Sequence, residues 1–97
     1  MKVLSLRGIK RIELEKTRWI QLEYYISEEK GECENNKIYG IAIVKKESSL
    51  EELELVNGIS YDQQIVEDMI LTLMNNIVTP MGLIESVDEM VTVRMCG

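Results

Sequence analysis

The spacing of apolar residues changes once along this chain, from a period near two before Asn57 to a period near 3.6 after Ser60. A sequence that alternates in one half and repeats at helical intervals in the other buries both apolar sets by laying helices on a sheet. The expected fold is therefore α+β: an antiparallel meander of about four strands followed by two helices packed on one face, in a single compact domain spanning residues 1–97. Antiparallel pairing follows from the short polar breaks between runs, because parallel neighbours need long crossovers. At 45% hydrophobic and 29% charged residues, with one proline, the chain has the composition of a folded protein.

Residues 9–15 make the first expected strand, with Ile12 and Leu14 on one face and Arg11, Glu13 and Glu15 on the other. Val3, Leu4 and Leu6 either extend that strand or form a short one of their own. Beyond a hairpin connection at Glu15-Lys16-Thr17, residues 19–27 alternate again, with Ile20, Leu22, Tyr24 and Ile26 as the core side. Residues 27–37 read as a loop, being polar and carrying Gly31, Asn35 and Asn36. Residues 38–46 are apolar on both faces, the pattern of a central strand with cover on both sides. Within them Gly40 marks either a bulge or a place where an aromatic ring crosses the backbone. A fourth strand over 50–56 sets Leu53 and Leu55 against Glu52 and Glu54, and Asn57-Gly58 ends it; the start of this stretch suits a short helical turn equally well.

Ser60 and Gln63 fit a capping box, so a helix is expected to begin there. Its buried stripe is Ile65, Val66, Met69, Ile70, Leu73, Met74 and Ile77. Thr79-Pro80 stops it and starts a second helix, with Thr79 as N-cap and Pro80 at the first helical position. Leu83, Ile84, Val87, Met90 and Val91 form the second stripe, and residues 92–97 either add a short strand or fray.

Charge narrows the partners. Residues 1–18 hold six Lys/Arg against two Glu, whereas the rest holds five Lys/Arg against fifteen Asp/Glu. An acidic field over most of the surface repels a phosphate backbone, so no nucleic acid is expected, and the basic first strand is expected to pair with acidic neighbours. No stretch approaches the roughly 20 apolar residues of a membrane span, and MKVLSLRGIKR lacks the apolar run of a leader. A cytoplasmic protein is expected, with Cys33 and Cys96 as unrelated free thiols, since they are far apart in sequence and no histidine completes a zinc set.

The residues offer little chemistry. Without histidine, and with glycines scattered at 8, 31, 40, 58, 82 and 97, neither a nucleophile–base pair nor a phosphate-cradling loop can be written. No catalytic residue and no cofactor is expected. The acidic loop 28–34 raises a small-molecule or metal-binding alternative, although its carboxylates lack the ordered spacing of a calcium loop. The methionines, Met69, Met74 and Met90 among them, read as core filling. The leading expectation is a small non-enzymatic interaction or regulatory module, binding a protein partner or a second copy as a homodimer through Trp19, Tyr25 and Tyr39 on an exposed aromatic sheet face.

At YYISEE, YGIAIVKKE and IVTPMGLIESVDEM the chain resembles a small family of unknown function from spore-forming, mostly clostridial bacteria. Its members pair a tyrosine-rich strand, a YGI-type strand, an acidic break and a helix closing on a VTP segment. The resemblance spans about residues 20–90, with Tyr39, Gly40, Val78, Thr79 and Pro80 as markers, while Met81 and Gly82 depart from the pattern. It implies a cytoplasmic bacterial protein and carries no activity, ligand or catalytic residue.

Overall fold

The alternating runs become four consecutive antiparallel strands: β1 (Val3–Glu15), β2 (Arg18–Lys30), β3 (Lys37–Glu47) and β4 (Leu50–Ser60), ordered β1-β2-β3-β4 in one sheet. The second half supplies α1 (Gln63–Asn75), a 3-10 turn at Pro80–Gly82 and α2 (Leu83–Cys96). The computed structural model describes the backbone of residues 2–31 and 36–96, and side chains as far as Thr92. The expected meander followed by two helices is the observed fold.

Both helices lie on the same side of the sheet. Leu22, Tyr24 and Ile26 of β2 and Ile41 and Ile43 of β3 are buried beneath Val66, Met69, Ile70 and Leu73 of α1 and Leu83 and Val87 of α2. The α1 set follows helical spacing and the strand sets follow a period of two, so each element turns one apolar stripe to a shared core. Each fully buried side chain of this kind contributes about 1.5 to 3 kcal/mol. At Gly8 the absence of a side chain leaves room for Met74, letting α1 settle over β1.

One polar contact ties the helical layer to the sheet. The Tyr24 hydroxyl, fully buried, donates to the Val78 carbonyl at 2.8 Å. Val78 is held there by the end of α1, where the Val78 amide donates to Leu73 O at 3.0 Å and the Ile77 amide to Met74 O at 3.1 Å. These two bonds form a Schellman motif, whose left-handed position falls on Ile77 at φ 52°. Glycine usually fills that position; a β-branched residue there is strained. The strain is held by Tyr24 below and by Pro80, buried, two residues beyond Val78.

Several boundaries differ from the sequence reading for identifiable reasons. β1 runs as one strand from Val3, with Arg7 as an extra residue between Leu6, opposite Tyr25, and Gly8, opposite Tyr24. The bulge lets Arg7 reach α1, where its Nε donates to Glu67 Oε1 at 2.8 Å. The basic first strand thus finds an acidic partner on a helix. β2 extends through Lys30 and β3 begins at Lys37, so much of the stretch read as a loop is paired strand; residues 32–35 lie outside the described residues. Asn57-Gly58 does not end β4. Residues 57–59 oppose the single Gly40, Gly58 takes φ 63°, and pairing resumes at Ser60 opposite Tyr39. A Cβ at Gly40 would collide with the Val56 carbonyl, so this glycine marks the bulge. Ser60 consequently closes a strand, and the N-cap of α1 is Asp62, whose carboxylate accepts from the Gln64 amide at 2.9 Å. Residues 92–96 continue α2 as helix.

Replacing Ile77 by Gly removes about 1 to 2 kcal/mol of left-handed strain and adds about 0.4 to 1 kcal/mol of unfolded-state entropy. Ile77→Gly is expected to be more stable by roughly 0.5 to 1 kcal/mol, read as a higher urea midpoint at unchanged slope. Burial pushes the Tyr24 hydroxyl from 10.0 up to about 12. Its contribution is complete below pH 10 and is lost as pH rises towards 12. Tyr24→Phe is expected to lose about 1 kcal/mol or more at neutral pH and to flatten the alkaline fall in stability over that window, measured by denaturant titration at stepped pH.

Candidate functional site

Because side chains alternate along each strand, the face opposite the helices is set by register. Three rows cross it: Arg11, Gln21, Lys46 and Glu51; then Ile9, Glu23, Val44 and Leu53; then Leu6, Tyr25, Ala42 and Leu55. Leu4 continues it beside Ser27, and Trp19 stands at its other end opposite Glu13. Leu6 is 47% exposed, Trp19 52% and Leu53 58%, with Leu4 and Ile9 similarly open. The Arg7 bulge assembles this patch. Before it the even residues of β1 face outward with Leu4 and Leu6; after it the odd residues do, with Ile9 and Arg11.

A polar network occupies the middle of the apolar rows. Glu23, only 7% exposed, accepts from the Tyr25 hydroxyl at 2.7 Å and from Gln21 Nε2 at 2.7 Å, and pairs with Lys46 Nζ at 3.3 Å. Arg11 Nε donates to Gln21 Oε1 at 3.0 Å, extending the network to β1. The hydrogen bond from Tyr25 is the main reason that the Glu23 carboxyl lies below its ordinary range, with Gln21 and Lys46 adding to it against the cost of burial. The same bond raises the Tyr25 hydroxyl. That bond orients the Tyr25 ring towards Glu23, and further along the face Arg11, Trp19, Ile20, Gln21 and Lys46 line a hollow of about 310 Å³.

Of the three aromatics expected on one exposed face, Trp19 and Tyr25 share the open face and Tyr39 does not. Tyr39 pairs with Glu28 and Ser60 and packs, half-buried, against the helix-side core. The parity of β3 is the reason: Ile41 and Ile43 face the helices, so Tyr39 must too. Nor, among the described residues, does β3 have a second layer on its other side. Ala42 and Val44 are buried there by neighbouring side chains of the same sheet, which mimics a doubly covered strand in composition. In the acidic stretch 28–34, Glu28 and Glu29 belong to β2, with Glu28 paired to Lys37 Nζ at 3.3 Å, while Glu32 and Glu34 lie outside the described residues. Among the described residues no group of three or more His, Cys, Asp or Glu converges as metal ligands. No helix is long and apolar enough to cross a membrane, again among the described residues.

A second concavity, a groove of about 530 Å³, lies between α1 and α2, floored by Met69, Leu73 and Met90 with Asp68 and Glu89 among its lining. Sequence reading did not find Leu4, Leu6 and Ile9 as one patch, because their alternation breaks at Arg7. It did not find the Glu23 network either, although Gln21, Glu23 and Tyr25 at consecutive odd positions were the available signal.

Fold and surface together define a two-layer α+β domain with one helix-covered and one bare sheet face. The chain belongs to DUF6514, a family of unknown function, whose profile matches residues 3–93. No curated protein and no solved structure matches it.

Since the folded-state pKa of Glu23 is depressed, its contribution is present above the ordinary value of 4.5 and is lost as pH falls through the folded value. Glu23→Gln is expected to make stability less dependent on pH below about 4.5 while lowering it near neutrality, because Gln21 and Lys46 then face an amide. Chemical denaturation at a series of acidic pH values checks both effects.

Proposed function

We propose that this protein is a small non-enzymatic interaction module whose contact surface is the open sheet face. The observation that carries the reading is the exposed apolar set Leu4, Leu6, Ile9, Trp19 and Leu53 on a sheet face that neither helix covers. Leu4, Leu6 and Ile9 make an exposed apolar run along β1, with Leu53 and Trp19 across the Glu23 network from it, and aromatic anchors among exposed apolar side chains are typical of protein–protein contacts. Tyr25 suits the role of a pre-ordered anchor, since Glu23 already fixes its ring and little side-chain freedom remains to be lost on association. Arg11, Lys46 and Glu51 supply the charged margin that sets orientation. In this reading the protein works in a bacterial cytoplasm, an assignment supported by the family resemblance and by thiols too far apart in sequence to suggest a disulfide framework.

The test is affinity capture with the tagged wild type and with a Trp19→Ser, Leu53→Ser double variant whose fold is verified by circular dichroism. Both side chains are more than half exposed, so the variant is expected to fold. Proteins retained by the wild type, including untagged copies of the chain itself, are expected to be lost from the variant. An identical retained set for both baits would remove the open face as the contact surface.

A further inference from the structure

We propose that the occupant of the open face is a second copy of this chain, the two sheets packing face to face about a two-fold axis that runs parallel to the strands. This rests on the reading of that face as a contact surface and names its partner.

Size and shape support it first. Strands of 11 to 13 residues, at about 4.8 Å between strands and about 3.3 Å per residue, make a face of roughly 19 by 40 Å, or about 750 Å². Two such faces bury about 1,500 Å², the size of a standard specific interface. The single chain is also a slab. Its Cα extents are 49 × 32 × 17 Å and its radius of gyration 14.3 Å, against about 12.5 Å for a compact chain of this length. A second copy on the bare face turns two layers into four, with two sheets enclosed between outer helices.

The rows across the face decide the axis. A two-fold along the strands reverses strand order, so β1 of one copy lies over β4 of the other while the rows stay in step. Arg11 then meets Glu51 of the second copy, and Glu51 meets the second copy's Arg11, giving two symmetric charge pairs from one row. In the following rows Ile9 lies over Leu53, Leu6 over Leu55, and the large Tyr25 over the small Ala42. Aligned sandwiches cross at about 30°, an offset that long Arg and Glu side chains span at the margin. The alternative in-plane axis, perpendicular to the strands, lays β1 over β1 and β4 over β4, so Arg11 and Glu51 no longer meet and the two pairs are lost.

Molecular mass and dissociation constant by sedimentation equilibrium, on the wild type, Arg11→Glu, Glu51→Arg and the double reversal, test the proposal. The wild type is expected at twice the chain mass of 11.2 kDa. Each single reversal sets like charges together at both symmetric contacts and is expected to weaken the dimer at least tenfold, and the double reversal to restore it. A wild type that stays monomeric at its highest soluble concentration would overturn the dimer. So would a dimer that ignores the single reversals or is not rescued by the double one. A monomeric wild type whose captured proteins are still lost on the Trp19→Ser, Leu53→Ser change would overturn the second copy as partner and leave the contact-surface reading standing.

Discussion

A four-stranded sheet has two faces, and this chain carries enough helix to cover one. α1 and α2 together span 27 residues and both are spent on the side of Leu22, Tyr24, Ile41 and Ile43. Everything on the other side must then be made tolerable by the strands alone. Part of that is done within the sheet, where Ala42 and Val44 are sealed by their neighbours and Glu23 is clasped by Tyr25, Gln21 and Lys46. The remainder, Leu4, Leu6, Ile9, Trp19 and Leu53, is left for another surface.

The covered side depends on how the chain turns between the two helices. Ile77 in the left-handed region costs free energy locally, yet that turn delivers the Val78 carbonyl to the only buried tyrosine hydroxyl among the described residues. An unsatisfied buried hydroxyl costs about 1 to 3 kcal/mol, of the same order as the strain of about 1 to 2 kcal/mol that the turn carries. Both residues belong to the segments that carry the family resemblance, YYIS and IVTP, so the resemblance follows a packing contact.

Where a pattern stayed in phase, the sequence was legible. The even positions of β2 and the stripe of α1 from Ile65 to Met74 appear in the structure as their spacing implies. By contrast, α1 ends at Asn75 in the Schellman turn ahead of Thr79-Pro80, Ile77 falls outside the stripe, and Pro80 opens a 3-10 turn before α2 starts at Leu83. Legibility failed where phase slips. A single extra residue at Arg7 exchanges the faces of β1, and residues 57–59 insert a bulge in β4 where Asn57-Gly58 resembled an ending. Ser60 and Asp62 are both competent caps two residues apart, and only the extra length of β4 decides between them. Tyr39 was misplaced because residues 38–46 are apolar at nearly every position, so their composition alone gives no parity.

The bulges at Arg7 and at residues 57–59 have a consequence for assembly. β1 and β4 are the edges of the sheet, the first with three Lys/Arg against two Glu and the second with three Glu and no Lys or Arg, and each is long enough to accept another strand. Edges of opposite charge on one molecule would add head to tail without limit, as a growing ribbon. The extra residue at Arg7 interrupts the first edge, drawing its charge inward to Glu67, and residues 57–59 interrupt the second. Neither edge presents an unbroken ladder over its full length, so lateral polymerisation is disfavoured and association is directed to the face.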